Sequence, residues 1–132
     1  MHALMKLGFR TVFCLAAIVF FPSMASAKVI YVDNTSAECT LVGTWSTVTS
    51  TAGYYLINAR SSLAGTGANT ATWRPNIPTT GTYTVYARWI PQANTNATNA
   101  KYVITHVAGT TEVIVNQNLN TKVWYKLGTF TF

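Results

Sequence analysis

The amino-acid sequence predicts an all-β chain, an antiparallel β-sandwich of jelly-roll-like form that follows an N-terminal signal peptide. Three observations predict it. Short runs rich in Val, Ile, Thr, Tyr and Trp recur along the chain, and Gly, Pro, Asn and Ser separate them at short intervals. No segment carries a helical period of apolar residues. After a basic, apolar leader, the remaining length matches one domain.

The leader comes first. Lys6 and Arg10 precede an apolar run from Thr11 to Phe21, then Pro22 and the small residues Ala25-Ser26-Ala27. This is the arrangement of a secretory signal, assigned to residues 1–27. The run is shorter than the roughly 20 apolar residues needed to cross a bilayer, so no stable membrane insertion is expected and the product is placed outside the cell, at its surface or in the periplasm. Residues 28–132 form the expected domain. Without Lys6 and Arg10 the net charge of +6 falls to +4, and the remaining cations are scattered singly between Lys28 and Lys126. Nucleic-acid binders cluster such charges, so a nucleic-acid partner is not expected. Cys14 leaves with the leader and Cys39 remains without an internal disulfide partner; it reads as a small apolar residue within a strand.

The predicted strands are 29–32, 40–48, 69–74, 82–90, 101–107, 112–117 and 123–132. "PTTGTY" introduces the fourth, and "VAGTTE" joins the fifth and sixth as a hairpin. Alternation in the fourth puts Tyr83, Val85, Ala87 and Trp89 on the core side, and Thr82, Thr84, Tyr86 and Arg88 toward water. The same logic turns Leu41, Trp45, Ala71 and Trp73 inward. The fifth strand is apolar on both faces, which leaves the side of His106 open. Gln92 to Asn99 reads as a loop.

Catalytic patterns are weak. Glycoside hydrolysis uses two carboxyl groups about 5–10 Å apart, and after the leader only Asp33, Glu38 and Glu112 remain. Asp33 reads as the cap of an Asx turn. His106 is then the single histidine, with neither a serine elbow nor companion metal ligands, and it is expected to bond across the sheet to a group such as Gln117. No catalytic residue, metal or cofactor is assigned. Asn34-Thr35-Ser36 and Asn96-Ala97-Thr98 have the form of glycosylation sequons.

Binding fits the composition better. Sugars offer apolar C–H faces ringed by hydroxyls, which aromatic rings and nearby amides, hydroxyls or guanidinium groups can hold. The four tryptophans fall in predicted strands and read as core. The candidate ligand-binding residues therefore lie off the core: Tyr54, Tyr55 and Arg60, then Tyr86 and Arg88 beside a loop carrying Asn94, Asn96 and Asn99.

"YVDNTSAECTLVGTWSTVTSTAGYY", "AGTGANTATWRPNIPTTGTYTVYARW" and "NATNAKYVITHVAGTTEVIVNQNLNTKVWYKLGTFTF", in this order, resemble the golvesin-type domain, also described as the carbohydrate-binding-like domain of xanthan lyase. The pieces that carry the resemblance are Asp33-Asn34, Gly43-x-Trp45, Ala71-Thr72-Trp73-x-Pro75, Gly81-x-Tyr83-x-Val85-Tyr86, Tyr102 with His106, Val115-x-Gln117, and Trp124 with Leu127-Gly128. The resemblance implies a β-sandwich attached to secreted enzymes or surface proteins that binds polysaccharide without catalysis. It also implies a further turn and strand after "LGTFTF", where this chain stops, and hence an open sheet edge available for self-association. The expected function is non-catalytic binding of a polysaccharide, with the basic balance favouring an acidic one. The alternatives are a self-associating surface or matrix protein and a fragment of a polysaccharide-degrading enzyme.

Overall fold

The computed structural model describes residues 29–92 and 95–132. The expected leader and Asn94 lie outside the described residues. The elements are β1 (Cys39–Val42), β2 (Ser46–Val48), β3 (Ala59–Ser61), β4 (Thr70–Trp73), β5 (Thr82–Ala87), β6 (Ala100–His106), β7 (Gly109–Val115) and β8 (Tyr125–Thr131), and no helix occurs among the described residues. All pairing is antiparallel, β1 with β4, β2 with β3, β5 with β8 and β6 with β7.

The pairing is nested in each half of the chain. The outer pair β1–β4 encloses β2–β3, and the outer pair β5–β8 encloses β6–β7. Each half is thus one long hairpin broken at a corner, which is how a ribbon wraps from one layer of a sandwich to the other. Thr40–Val48 is accordingly two strands. Gly43 turns the chain between them at φ +86°, where a residue with a Cβ is strained, and Thr44 N–H donates to Asn69 Oδ1 at 3.0 Å across the break. In the second half the corner is held by backbone bonds from Lys122 N–H to Trp89 O at 2.9 Å and from Gln117 N–H to Ala97 O at 2.8 Å. The Trp89 indole N–H donates to Leu119 O at 3.1 Å.

That corner is also the core. Trp89, Ile90, Ile104 and Val115 are the buried apolar side chains, and the Trp89 ring lies 5.5 Å from Tyr125 and 6.5 Å from Tyr102. Burial of each such side chain contributes roughly 1.5–3 kcal/mol. A second aromatic group joins β5, β6 and β8: His106 stacks on Phe130 at 5.1 Å, and Phe132 lies 6.3 Å from Tyr83 and 6.4 Å from Phe130. His106, Ile104 and Tyr102 share the inner side of β6.

Alternation along β5 is as predicted, with Tyr83, Val85 and Ala87 half-buried and Thr82, Thr84 and Tyr86 exposed. The β6–β7 hairpin forms with His106 opposite Gly109. Four expectations are corrected. Residues 29–32 pair with no strand, because their Tyr31 ring packs on loop residues instead. β3 was not foreseen, since its Ala-Arg-Ser is too short to show a period. Trp73 is 44% exposed, because it faces Cys39 at the open end of the short β1–β4 ladder. His106 bonds through Nε2 to Thr111 Oγ1 at 2.9 Å, while Gln117 donates to the Tyr102 hydroxyl at 2.8 Å. The partner of His106 is the residue two positions along the returning strand from Gly109, which hairpin geometry brings nearest.

Candidate functional site

Two of the three carboxylates, Asp33 and Glu112, are committed to structure, and Glu38 is exposed. Asp33 Oδ1 accepts from Thr35 N–H at 3.0 Å and from the Thr35 hydroxyl at 2.6 Å, the predicted Asx turn, and Asp33 is buried. Glu112 pairs with Lys101 at 2.8 Å on the exposed face of the β6–β7 hairpin. Among the described residues no group of three or more His, Cys, Asp and Glu side chains could hold a metal. Cys39 is a half-buried free thiol; burial pushes its pKa up, the Asp33 charge adds to this, and Arg60 opposes it.

The aromatic side chains are arranged differently. Tyr31, Tyr55 and Trp124 form a cluster from three separate stretches of chain, with Tyr31 and Tyr55 stacked at 5.4 Å, Tyr31 and Trp124 at 5.7 Å, and Tyr55 edge-on to Trp124 at 5.4 Å. Tyr31 is 55% exposed and Trp124 is 42% exposed, while Tyr55 supports them half-buried. The triad therefore presents aromatic rings to solvent instead of closing a core.

Local chemistry brings these stretches together. Tyr55 lies on the loop between β2 and β3, and Trp124 immediately precedes β8. Gly53, at φ +111°, lets the Lys122 side chain lie directly over its backbone; a Cβ there would come 2.5 Å from Lys122 Cγ. Leu56 and Lys122 hold positive φ of 56° and 65°, a strained conformation for residues other than glycine, and each lies one or two positions from a triad ring. Arg88 ties the two loops. Its Nε and Nη2 donate to Gly53 O at 3.2 and 3.0 Å, and its Nη1 donates to Lys122 O. One guanidinium thereby spans both halves of the chain with the planar fork that lysine lacks.

The residues chosen from sequence separate into distinct places. Tyr55 belongs to the triad and Tyr54 is its half-buried neighbour. Arg88 faces the loop carbonyls instead of open water. Tyr86 is 50% exposed on the outer face of β5. Arg60 projects from β3 and donates to Thr47 Oγ1 on β2. The Asn96 amide donates to Ile90 O at 2.8 Å and to Gln117 O at 2.9 Å, bracing the corner, and Asn99 is exposed. A shallow groove lined by Val48, Ser61, Pro91, Gln92 and Thr95 adjoins this loop, but it offers no ring or charge. Sequence reasoning missed Tyr31 and Trp124. The signal available for Trp124 was the polar stretch Asn116–Lys122 just before it, which places it at a loop end.

The fold and these residues agree with known proteins. The family model described as the Golvesin C-terminal domain matches residues 30–132. Xanthan lyase of Bacillus sp. (strain GL1) is 37% identical over 106 residues, covering 78% of this chain and 11% of that protein. The structure of a Paenibacillus xanthan lyase superimposes with a TM-score of 0.73 at 38% identity, over 78% of this chain and 10% of that one. This chain thus spans about a tenth of the length of these relatives. Belonging to the Golvesin C-terminal domain family accounts for its all-β, antiparallel sandwich and for the order of its motifs.

Proposed function

We propose that this domain is an exported, non-catalytic module that binds a polysaccharide through the Tyr31–Tyr55–Trp124 platform. The observation that carries the reading is that triad: two partly exposed rings, supported by a third, with the Tyr55 and Trp124 loops held by the Arg88 guanidinium. Sugar rings stack their C–H faces on such surfaces while peripheral polar groups bond their hydroxyls. Tyr54, Tyr86 and Asn99 are the sequence-chosen residues left to make those outer contacts. Arg88 and Asn96 serve by holding the surrounding loops. The Bacillus and Paenibacillus relatives are named for xanthan, which makes that polymer the first ligand to try. In a relative about ten times longer, a unit of this kind would hold the polymer near a catalytic region elsewhere in the chain.

The test is affinity electrophoresis of wild type and Trp124→Ala in gels containing xanthan or neutral glucans. A central aromatic at a binding surface is worth about 2 kcal/mol, so the substitution should weaken binding about 30-fold. Retention of Trp124→Ala equal to wild type would refute the platform.

A further inference from the structure

The ribbon of β5 and β8 begins beside the platform, since Trp124 lies two residues before Lys126. Its register runs Thr82 opposite Thr131, Tyr83 opposite Phe130, Thr84 opposite Thr129 and Val85 opposite Gly128, and then shifts so that Tyr86 faces Lys126. Leu127 is the extra residue of this β-bulge. In a regular strand, positions three apart point to opposite faces, so Lys126 and Thr129 would lie on different sides. With the bulge both are exposed, whereas Leu127 and Gly128 are half-buried. A bulge re-aims a side chain in this way at the expense of one ladder position.

The outer face is consequently a strip of matched groups. Thr82 and Thr131 hydroxyls lie 3.3 Å apart, and Thr84 and Thr129 hydroxyls 3.2 Å apart. The half-exposed Tyr86 ring and the Lys126 ammonium follow. Among the described residues the only ion pair is Lys101–Glu112, which leaves Lys126 without a carboxylate partner. From Thr82 to Tyr86 the strip runs roughly 14 Å, long enough for more than one sugar ring. It lacks the large apolar side chains that a protein interface buries at its centre. Hydroxyls, one ring and one unpaired cation complement a hydroxyl-rich chain that bears negative charge.

We infer that the outer face of the β5–β8 ribbon continues the glycan site, and that Lys126, turned onto this face by the bulge, recognises a carboxylate on an acidic polysaccharide. The inference rests on the polysaccharide-binding reading above and adds the ligand's charge and the residue that reads it.

The experiment compares wild type, Lys126→Gln, Lys126→Arg and Trp124→Ala against xanthan and the same polymer after chemical reduction of its carboxyl groups, with melting midpoints as a control for folding. Lys126→Gln should lose about fivefold affinity for the acidic polymer, the size of an exposed ion pair. It should bind the reduced polymer as wild type does, show a flatter salt dependence, and be rescued by Lys126→Arg. If Trp124→Ala weakens binding while Lys126→Gln changes neither polymer, the ribbon inference falls and the platform stands. If Lys126→Gln alone shows the selective loss, the ribbon stands and the platform falls. Wild-type failure to bind either polymer overturns both.

Discussion

Arg88 is the most informative single perturbation, because its guanidinium donates to carbonyls on the Tyr55 and Trp124 loops, two of the three stretches that form the platform. Replacement by alanine removes Nε and Nη2 bonds of 3.2 and 3.0 Å to Gly53 O together with the bond to Lys122 O, and leaves both carbonyls to water. Hydrogen bonds from a charged donor contribute about 1.5–3 kcal/mol. Two of these share one acceptor and the site is only partly buried, so the combined loss is about 2 kcal/mol. For a domain of this size, each kcal/mol shifts the midpoint by about 4–8 °C, so Arg88→Ala should melt roughly 8–16 °C lower. Arg88→Lys should recover less than half of this, since one ammonium cannot serve both loops. Urea unfolding gives the free energy, and glycan affinity measured well below the melt gives the platform effect. Arg88→Ala within about 0.5 kcal/mol of wild type, with unchanged affinity, would refute the idea that this residue assembles the platform.

Two further outcomes follow from the fold. Gly43→Ala places a Cβ against Asn69 Oδ1 at a φ of +86°, disrupting the bond that crosses the first corner; a loss of about 2–3 kcal/mol is expected in the same urea assay. Burial raises the Tyr102 hydroxyl above its ordinary pKa of 10.0, and the Gln117 hydrogen bond opposes this. The folded state therefore favours the neutral phenol, so its contribution is complete below pH 10 and is lost as pH rises beyond it. Stability followed from neutral to alkaline pH should fall less steeply above that point for Tyr102→Phe than for wild type, and equal slopes would contradict the linkage.

The β5 strand was legible because one face is covered and the other is wet, so Thr82–Ala87 writes its burial as alternation. β3 was not, since its Ala-Arg-Ser is shorter than any period. The first corner was not legible, since residues 40–48 read as one strand through Gly43 and the Asn69 side chain that closes the corner is distant along the chain. Tyr55 was identified from its loop. Tyr31 and Trp124 were read as strand residues, because local composition cannot distinguish a ring that fills a core from one left exposed where three segments meet. Arg88 and Asn96 read in the sequence as candidate ligand-binding residues; the backbone carbonyls to which they donate leave no trace in residue identities. The bulge at Leu127 was equally silent, since register belongs to the pair of strands and not to either one.

The most direct test of the central claim is a titration of the domain with soluble xanthan oligosaccharides, followed through its indole N–H resonances. Trp89 and Trp45 donate their indole protons to Leu119 O and Val42 O, so their signals report the fold, whereas Trp124 reports the platform. Of the four indole resonances, the account predicts saturable movement of that of Trp124 with those of Trp89 and Trp45 unmoved. Saturable binding that leaves Trp124 in place would contradict it.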